Sequence, residues 1–266
     1  MIPSIIHYCW FGEGEKSFCA KRCIDSWAIL TDMGFELREW NESNFDINAH
    51  SVIKWAYQNK LYAFVSDYVR LKVLYEYGGI YLDTDVEVFK DLTPLMNCGL
   101  LLGMIYDCSI GTAVIGSNAQ HEVIGKLIDC YETSSVPLDT IKSRYFVFKD
   151  YEEYTGRLIN NNDLFTVFFL ENVKRFNLHG KHQQIGDIHI YPKHYFEGEA
   201  FNKSKQYTRH YGEGSWYKTA PARGFKQRLK QLLKKDIKIT SILWDKFYRY
   251  RHNKRLPFYS LRSNGG

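Results

Sequence analysis

The stretch YAFVSDYVRLKVLYEYGGIYLDTDVEV, residues 62 to 88, decides the fold, because its pattern changes from helix to strand at two glycines. In the first half, apolar side chains recur at the spacing of one helical face. These are Phe64, Tyr68, Leu71 and Tyr75, with Val65, Val69 and Val73 beside them. Gly78 and Gly79 predict the end of the helix, since glycine tolerates the left-handed backbone that closes one. The residues that follow predict a buried strand continuing to Val88.

Asp83 and Asp85 are two residues apart in this predicted strand, so both carboxylates are expected on one face of an extended chain. Two like charges this close are costly unless a cation lies between them or water surrounds them. Oxygen ligands favour Mg²⁺ or Mn²⁺ over zinc, and Mg²⁺ commonly completes its shell with water and substrate phosphates. The pair therefore indicates a metal that holds a diphosphate. A solvated strand end is the competing interpretation, because aspartate is common at turns.

Asp67 and Arg70 precede this pair on the predicted helix and are three residues apart, so one helical face carries an acceptor and a cationic donor. Ligands of open α/β sheets bind at the carboxyl ends of the strands, which is where the aspartate pair would lie. The alternative interpretation of Asp67 and Arg70 is an ordinary surface ion pair.

The segments FVSDYVR, residues 64 to 70, and YGGIYLDTD, residues 77 to 85, resemble the signature of the DXD-containing sugar transferases of glycosyltransferase family 32. That family includes bacterial capsule and lipopolysaccharide transferases and Och1-type mannosyltransferases, and the catalytic domains of large clostridial toxins are more distantly similar. The resemblance implies an α/β chain with the GT-A fold, which is a single Rossmann-like mixed sheet flanked by helices. It also implies metal-dependent, retaining transfer of a sugar from a nucleotide donor.

The opening IPSIIHYCWFG, residues 2 to 12, is also similar to that family and places Trp10 where relatives stack a tryptophan on the nucleobase. A core tryptophan is the alternative. Asn41, after a strand predicted over residues 35 to 40, matches a position that contacts the nucleoside, with turn formation as the simpler account. Tyr81, inside the DXD segment, is expected to line the nucleotide-sugar site.

The stretch YTRHYGEGSW, residues 207 to 216, resembles the closing motif of the family. The resemblance implies that His210 is a metal ligand beside the two aspartates, which suits Mn²⁺ better than Mg²⁺. It implies that Ser215 and Trp216 meet the diphosphate. Glu213 is an alternative ligand, and a structural or solvent-facing role is the competing interpretation of the histidine.

Composition bounds the remaining possibilities. A chain of 266 residues with 45% hydrophobic and 16% aromatic residues can bury a substantial core and suits one domain with an appendage. Its six cysteines form no CxxC pair, which favours free thiols in a reducing cytosol. No signal peptide and no apolar run long enough to span a bilayer are recognised, so a cytoplasmic protein, soluble or peripheral, is expected.

The composition changes at residue 221, which predicts a catalytic domain over residues 1 to 220 and a basic, amphipathic helical segment over residues 221 to 266. That segment holds 13 Lys and Arg residues against two Asp, a net charge of +11, while the whole chain carries +5 and the preceding residues therefore −6. Apolar residues recur among the cations at helical spacing. The favoured interpretation is peripheral binding to the inner face of the cytoplasmic membrane. A helix packed back on the acidic domain and a nucleic-acid arm are the alternatives, of which a nucleic-acid partner is not expected.

These observations predict a metal-dependent, retaining glycosyltransferase that moves a hexose or N-acetylhexosamine, with Asp67 and Arg70 hydrogen-bonded to sugar hydroxyls and Asp83 and Asp85 on the metal. The expected donor is UDP-linked, with a GDP-sugar as the second choice. The expected acceptor is an oligosaccharide or lipid-linked glycan in bacterial capsule, O-antigen or lipopolysaccharide synthesis. A phosphohydrolase of the haloacid dehalogenase type and a non-catalytic glycan-binding module are the alternatives.

Overall fold

The computed structural model describes residues 1–132, 161–198 and 203–212, together with Phe258 and Leu261. Within this part of the chain, a seven-stranded sheet in the order β2-β1-β3-β6-β5-β8-β7 is flanked by helices, and β4 and β9 form a second, two-stranded sheet. The predicted fold class, α/β with one large mixed sheet flanked by helices, is confirmed. The strands are β1 Ile5–Cys9, β2 Glu36–Trp40, β3 Gly79–Leu82, β4 Val86–Val88, β5 Leu100–Tyr106, β6 Ser109–Ser117, β7 Gln183–Ile185, β8 Ile188–Tyr191 and β9 Thr208–His210. The helices are α1 Phe18–Ser26, α2 Ala28–Thr31, α3 Ser51–Gln58, α4 Tyr62–Tyr77, α5 Glu122–Glu132 and α6 Asn161–Asn172, with 3₁₀ turns at Thr93–Leu95 and Lys203–Lys205.

Strand direction explains where a ligand site can form. β1 pairs in parallel with both β2 and β3, and β8 pairs in parallel with β5. β6 runs antiparallel between β3 and β5. The carboxyl ends of β1, β3 and β5 therefore meet at one edge of the sheet, which is the edge that open α/β sheets use for ligands.

Helix α4 confirms the helical prediction and ends at the two glycines as expected. Gly78 and Gly79 have φ angles of +65° and +102°, a conformation that side chains with a Cβ rarely adopt. A Cβ on Gly78 would also lie 2.7 Å from the backbone nitrogen of Ala119. The chain can thus reverse from α4 into β3 within two residues only because both positions are glycine.

His7 fastens this reversal to the neighbouring strands. Its side chain is fully buried in β1, with Nε2 2.8 Å from the Gly78 carbonyl oxygen. The indole N–H of Trp40, at the end of β2, donates to Nδ1 over 3.1 Å. The ring is therefore neutral, with Nε2 donating and Nδ1 accepting, and burial lowers the pKa of His7 to about 4.

The predicted strand through Val88 is wrong in its middle. β3 ends at Leu82, and residues 83 to 85 form a turn in which the Val86 N–H donates to the Asp83 carbonyl oxygen over 3.0 Å. β4 then leaves the large sheet and pairs with β9. The Trp27 indole donates to the Val86 carbonyl oxygen over 2.8 Å and holds β4 against α1. The strand is interrupted because β3 pairs with β6 while β4 pairs with β9, and the local alternation of apolar residues does not reveal these distant partners.

Two further elements near the cavity are helix α6 and strand β6. Helix α6 begins at Asn161 and carries Asp163 inside its first turn. The small residues 109 to 117 form β6, a fully buried central strand. Within the described residues, no helix combines the length and the apolar character needed to cross a bilayer.

Phe258 is the best-buried described residue of the basic segment. Its side chain is fully buried and belongs to the apolar cluster that α4, α5 and α6 form on one face of the sheet. At this position the chain packs on the domain, as the fold-back alternative requires. The predicted boundary at residues 220 and 221 and the rest of the segment lie outside the described residues.

Candidate active site

A cavity of about 600 Å³ opens at the carboxyl edge of the sheet. Its walls come from the loop after β1, the first turns of α4, the turn between β3 and β4, strand β6, the start of α6 and the end of β9. This volume lies in the range of about 300–1,000 Å³ that small-molecule sites occupy. The cavity is therefore large enough for a ligand such as a nucleotide and a sugar.

Asp83, Asp85 and His210 converge in this cavity, as predicted. One ligand atom from each of the three lies within 4.8 Å of the others. The pairing of Val86 with His210 across β4 and β9 brings the histidine beside the turn, and the Tyr211 N–H donates to the Asp85 carbonyl oxygen over 3.0 Å. His210 Nε2 is 3.4 Å from Asp85 Oδ1, with both side chains mostly buried.

The electrostatics of this cluster favour a bound cation. Burial raises the pKa of the Asp83 carboxyl, Arg70 opposes this, and the neighbouring Asp85 adds to the rise. Burial alone would lower the pKa of His210, but Glu197 and Asp85 raise it well above its usual value. The acidic groups around His210 therefore attract positive charge to this position. Two carboxylate oxygens and one imidazole nitrogen are a ligand set that Mn²⁺ accepts well, so the residues fit a divalent metal.

Arg70 is buried behind the cluster and is held by protein groups on all three guanidinium nitrogens. Nη2 lies 2.8 Å from Asp67 Oδ1 and 3.2 Å from Asp83 Oδ1. Nη1 donates to the Thr112 carbonyl oxygen over 2.7 Å, and Nε donates to the Ser66 carbonyl oxygen over 3.2 Å. The sequence predicts that Arg70 binds sugar hydroxyls. In the structure its guanidinium contacts the two aspartates and two backbone carbonyl oxygens, so it holds the two aspartates in position.

Tyr81 contacts both Arg70 and Asp83. Its ring centroid is 4.4 Å from the Arg70 Cζ, and its hydroxyl donates to Asp83 Oδ1 over 3.1 Å. The side chain is only 2% exposed. Tyr81 thus lines the base of the cavity, where it orients a carboxylate.

Asp67 and the start of α6 form the neighbouring wall. Burial raises the pKa of Asp67 to about 6, although Arg70 opposes the rise. Asn161 Nδ2 donates to Asp67 Oδ1 over 3.3 Å, and Asn162 Oδ1 accepts from the Thr112 N–H and hydroxyl over 3.0 and 2.8 Å. Sequence reasoning missed both asparagines as site residues, because a polar run before an apolar helix indicates only a helix start.

Trp10 lies in the cavity wall as predicted, and it is partly exposed, unlike a core tryptophan. Its indole N–H donates to the Gly14 carbonyl oxygen over 2.6 Å, and Lys16 Nζ lies 5.5 Å from its ring centroid. Gly12 has a φ of +97°, and a Cβ there would come within 2.3 Å of the Tyr62 ring. The loop therefore presents the Trp10 ring in one fixed position next to α4.

Asn41 is placed differently from the other predicted contacts. Its Oδ1 accepts from the Ser43 N–H and hydroxyl over 2.9 and 2.6 Å, and its Nδ2 donates to Glu39 Oε1 over 3.2 Å. Asn41 does not contribute to the cavity wall formed by the described residues. The turn-forming alternative accounts for its contacts. Ser215, Trp216 and Glu213 lie outside the described residues.

Comparison with known proteins supports the resemblance found in the sequence. Residues 17–99 match a family described as the glycosyltransferase sugar-binding region containing DXD motif. The glycosyltransferase L373 of Acanthamoeba polyphaga mimivirus, itself uncharacterized, is 29% identical over 132 residues. That match covers 46% of this chain and 53% of the relative, so the chain spans about half the length of the curated relative. The predicted resemblance to DXD-containing sugar transferases is thereby confirmed.

Several solved structures are similar at low sequence identity. The PaToxG glycosyltransferase has a TM-score of 0.43 at 17% identity, covering 64% of this chain and 69% of its own. A glycosyltransferase involved in the glycosylation of the major capsid of PBCV-1 has a TM-score of 0.40 at 11% identity, with coverages of 78% and 93%. The galactosyltransferase LgtC, in complex with donor and acceptor sugar analogs, has a TM-score of 0.39 at 15% identity, with coverages of 86% and 94%.

Proposed function

We propose that this protein is a divalent-metal-dependent glycosyltransferase that moves a sugar from a nucleotide diphosphate donor to a glycan acceptor. The observation that carries the proposal is the convergence of Asp83, Asp85 and His210 in a cavity next to Asp67 and Arg70. The match of residues 17–99 to a DXD sugar-binding region supports the same reaction class.

In this proposal Asp83, Asp85 and His210 hold the cation, and Mn²⁺ suits the mixed oxygen and nitrogen ligands better than Mg²⁺. When bound, such a cation neutralises the charge that develops on a departing nucleotide diphosphate. Arg70 keeps the carboxylates of Asp67 and Asp83 in place. Because Arg70 is buried and holds both carboxylates before any ligand arrives, little reorganisation is needed when charge develops.

The remaining residues orient the donor. The partly exposed ring of Trp10 offers a flat surface for a nucleobase, and Asp67, with Asn161 beside it, offers hydrogen-bonding groups to sugar hydroxyls. We propose a UDP-linked hexose or N-acetylhexosamine as donor, with a GDP-sugar second, and transfer with retention of anomeric configuration. We propose an acceptor glycan of bacterial surface polysaccharide synthesis and a cytoplasmic location. We propose that the cations of residues 221 to 266 face the membrane, while Phe258 packs on the domain.

The phosphohydrolase alternative is not favoured by the geometry. It requires the first aspartate of the pair to act as a nucleophile. Asp83 Oδ1 instead lies 3.2 Å from Arg70 Nη2 and accepts a hydrogen bond from the Tyr81 hydroxyl. Both contacts occupy this oxygen and fix the orientation of the carboxylate, which suits a held ligand better than an attacking group.

The test is incubation with Mn²⁺ and a panel of UDP- and GDP-sugars, with release of free nucleotide diphosphate as the measurement. Turnover of one donor supports the proposal, release of phosphate from a simple phosphomonoester supports the phosphohydrolase, and binding without turnover supports a glycan-binding module. Asp85→Asn should lower donor turnover by on the order of 100-fold or more. The exposed Asp32→Asn is the matched control, with unchanged turnover expected. Near-normal turnover by folded Asp85→Asn protein would refute the assignment.

A further inference from the structure

Glu197 is a buried carboxylate that neither the motif nor the metal cluster accounts for. It follows β8 in a short turn, is 4% exposed, and its Oε2 lies 3.0 Å from His210 Nδ1. Within the part of the chain that the structure describes, this is the only hydrogen bond or ion pair of its side chain. A buried carboxylate is costly unless it is paired, so its placement against one histidine needs a reason.

The surrounding structure makes room for this carboxylate. Gly111, in the central strand β6, has no side chain, and a Cβ at that position would lie 3.1 Å from Glu197 Oε1. Any other residue at position 111 would crowd the carboxylate. The absence of a side chain at Gly111 therefore leaves the space in which the Glu197 carboxylate is buried.

Glu197 and His210 also belong to one rigid unit. The Thr208 N–H donates to the Tyr195 carbonyl oxygen over 3.1 Å, and the Thr208 hydroxyl donates to the Phe196 carbonyl oxygen over 2.9 Å. Gln206 Nε2 donates to the Gly198 carbonyl oxygen over 2.8 Å. The turn that carries the carboxylate is thus fixed at three points to the β9 region that carries the histidine.

We propose that Glu197 is a positioning residue for the metal site. It accepts the Nδ1–H of His210 and fixes the ring orientation and tautomer. Nε2, which lies 3.4 Å from Asp85 Oδ1, is then the nitrogen that would hold a cation together with Asp83 and Asp85. Carboxylates that accept a hydrogen bond from the second nitrogen of a metal-bound histidine commonly raise the affinity for the metal by about 10–100-fold. This inference rests on the metal dependence in the proposed function.

The experiment measures Mn²⁺ affinity in the absence of donor, by electron paramagnetic resonance of the free ion, on folded protein. Glu197→Ala should bind Mn²⁺ about 10–100-fold more weakly than the wild type. Glu197→Gln keeps the volume and an acceptor oxygen but loses the charge, so its affinity should lie between those of Glu197→Ala and the wild type. Exposed Glu15→Ala is the matched control and should bind as the wild type does.

The outcomes separate this inference from the proposed function. If His210→Ala weakens Mn²⁺ binding while folded Glu197→Ala binds within about twofold of the wild type, the inference is overturned and the metal site stands. A lower melting temperature with unchanged affinity has the same meaning, because it shows a purely structural role. If Glu197→Ala fails to fold, Glu197→Gln decides, and wild-type affinity in that variant overturns the inference. If the wild type binds no Mn²⁺, both proposals fail.

Discussion

Replacing Arg70 by methionine tests whether this residue positions the aspartates. Arg70 is 4% exposed and lies between Asp67 and Asp83, whose side chains are 15% and 25% exposed, so its removal leaves two largely buried carboxylates without their cation. Breaking a buried pair in this way costs about 3–5 kcal/mol. Since the unfolding free energy of a domain is typically about 5–15 kcal/mol, urea denaturation should show a large loss at pH 8.

The same reasoning gives the loss a pH dependence. Arg70 restrains the pKa of Asp67, which burial already raises to about 6. Without Arg70 that pKa rises further, so lowering the pH protonates the carboxyl and removes part of the penalty of the bare charge. The difference in unfolding free energy between Arg70→Met and the wild type should therefore be smaller at pH 6 than at pH 8.

Arg70→Lys is the matched control, because it keeps the charge and loses the planar fork that reaches Ser66 and Thr112. Its loss of stability should be smaller than that of Arg70→Met. If folded Arg70→Met unfolds within about 0.5 kcal/mol of the wild type, which is the size of an ordinary surface substitution, the positioning role is refuted. A change confined to the KM for donor would then favour direct contact with the sugar.

Three further predictions concern the scaffold. Because folding lowers the pKa of His7 from 6.5 to about 4, the unfolded chain binds more protons between these pH values, and the unfolding free energy should fall by about 2 kcal/mol from pH 7 to pH 5. Urea denaturation of His7→Gln should lack this part of the pH dependence. An equal pH dependence in the variant and the wild type would contradict the argument. Gly12→Ala should lose about 1–3 kcal/mol from its positive φ and its clash with Tyr62, and an unchanged melting temperature would show that the loop can shift freely. Phe258→Ala should cost about 3–5 kcal/mol because the ring is fully buried; unaltered thermal unfolding would mean that this residue does not pack in the core.

The sequence predicts the central helix, its glycine stop and the acidic cluster because each of these is encoded locally. Helical periodicity and Gly78-Gly79 determine where α4 ends, and the aspartate spacing determines which residues can share a cation. His210 is predicted as a metal ligand from a separate motif. The pairing of β4 with β9 brings it close to the two aspartates, which the motif only implies.

The remaining features depend on contacts between distant segments. The guanidinium of Arg70 donates to the carbonyl oxygen of Thr112, which is 42 residues further along the chain, and helical spacing gives no signal for this contact. Glu197 carries no local signal, because its burial and its partner are created by the turn after β8 and by Gly111. The turn at Asp83–Asp85 likewise depends on the pairing of β4 with β9, which the alternation of apolar residues does not reveal.

The pairing of Val86–Val88 with Thr208–His210 joins two segments that are synthesised far apart in time. A nascent chain emerging from the ribosome already carries both aspartates but lacks the imidazole that completes the cluster. The cluster of Asp83, Asp85 and His210 can thus assemble only after residue 210 has been translated. If the proposed metal site is correct, shorter chains would lack one ligand, and Mn²⁺ binding would report that β9 has paired with β4.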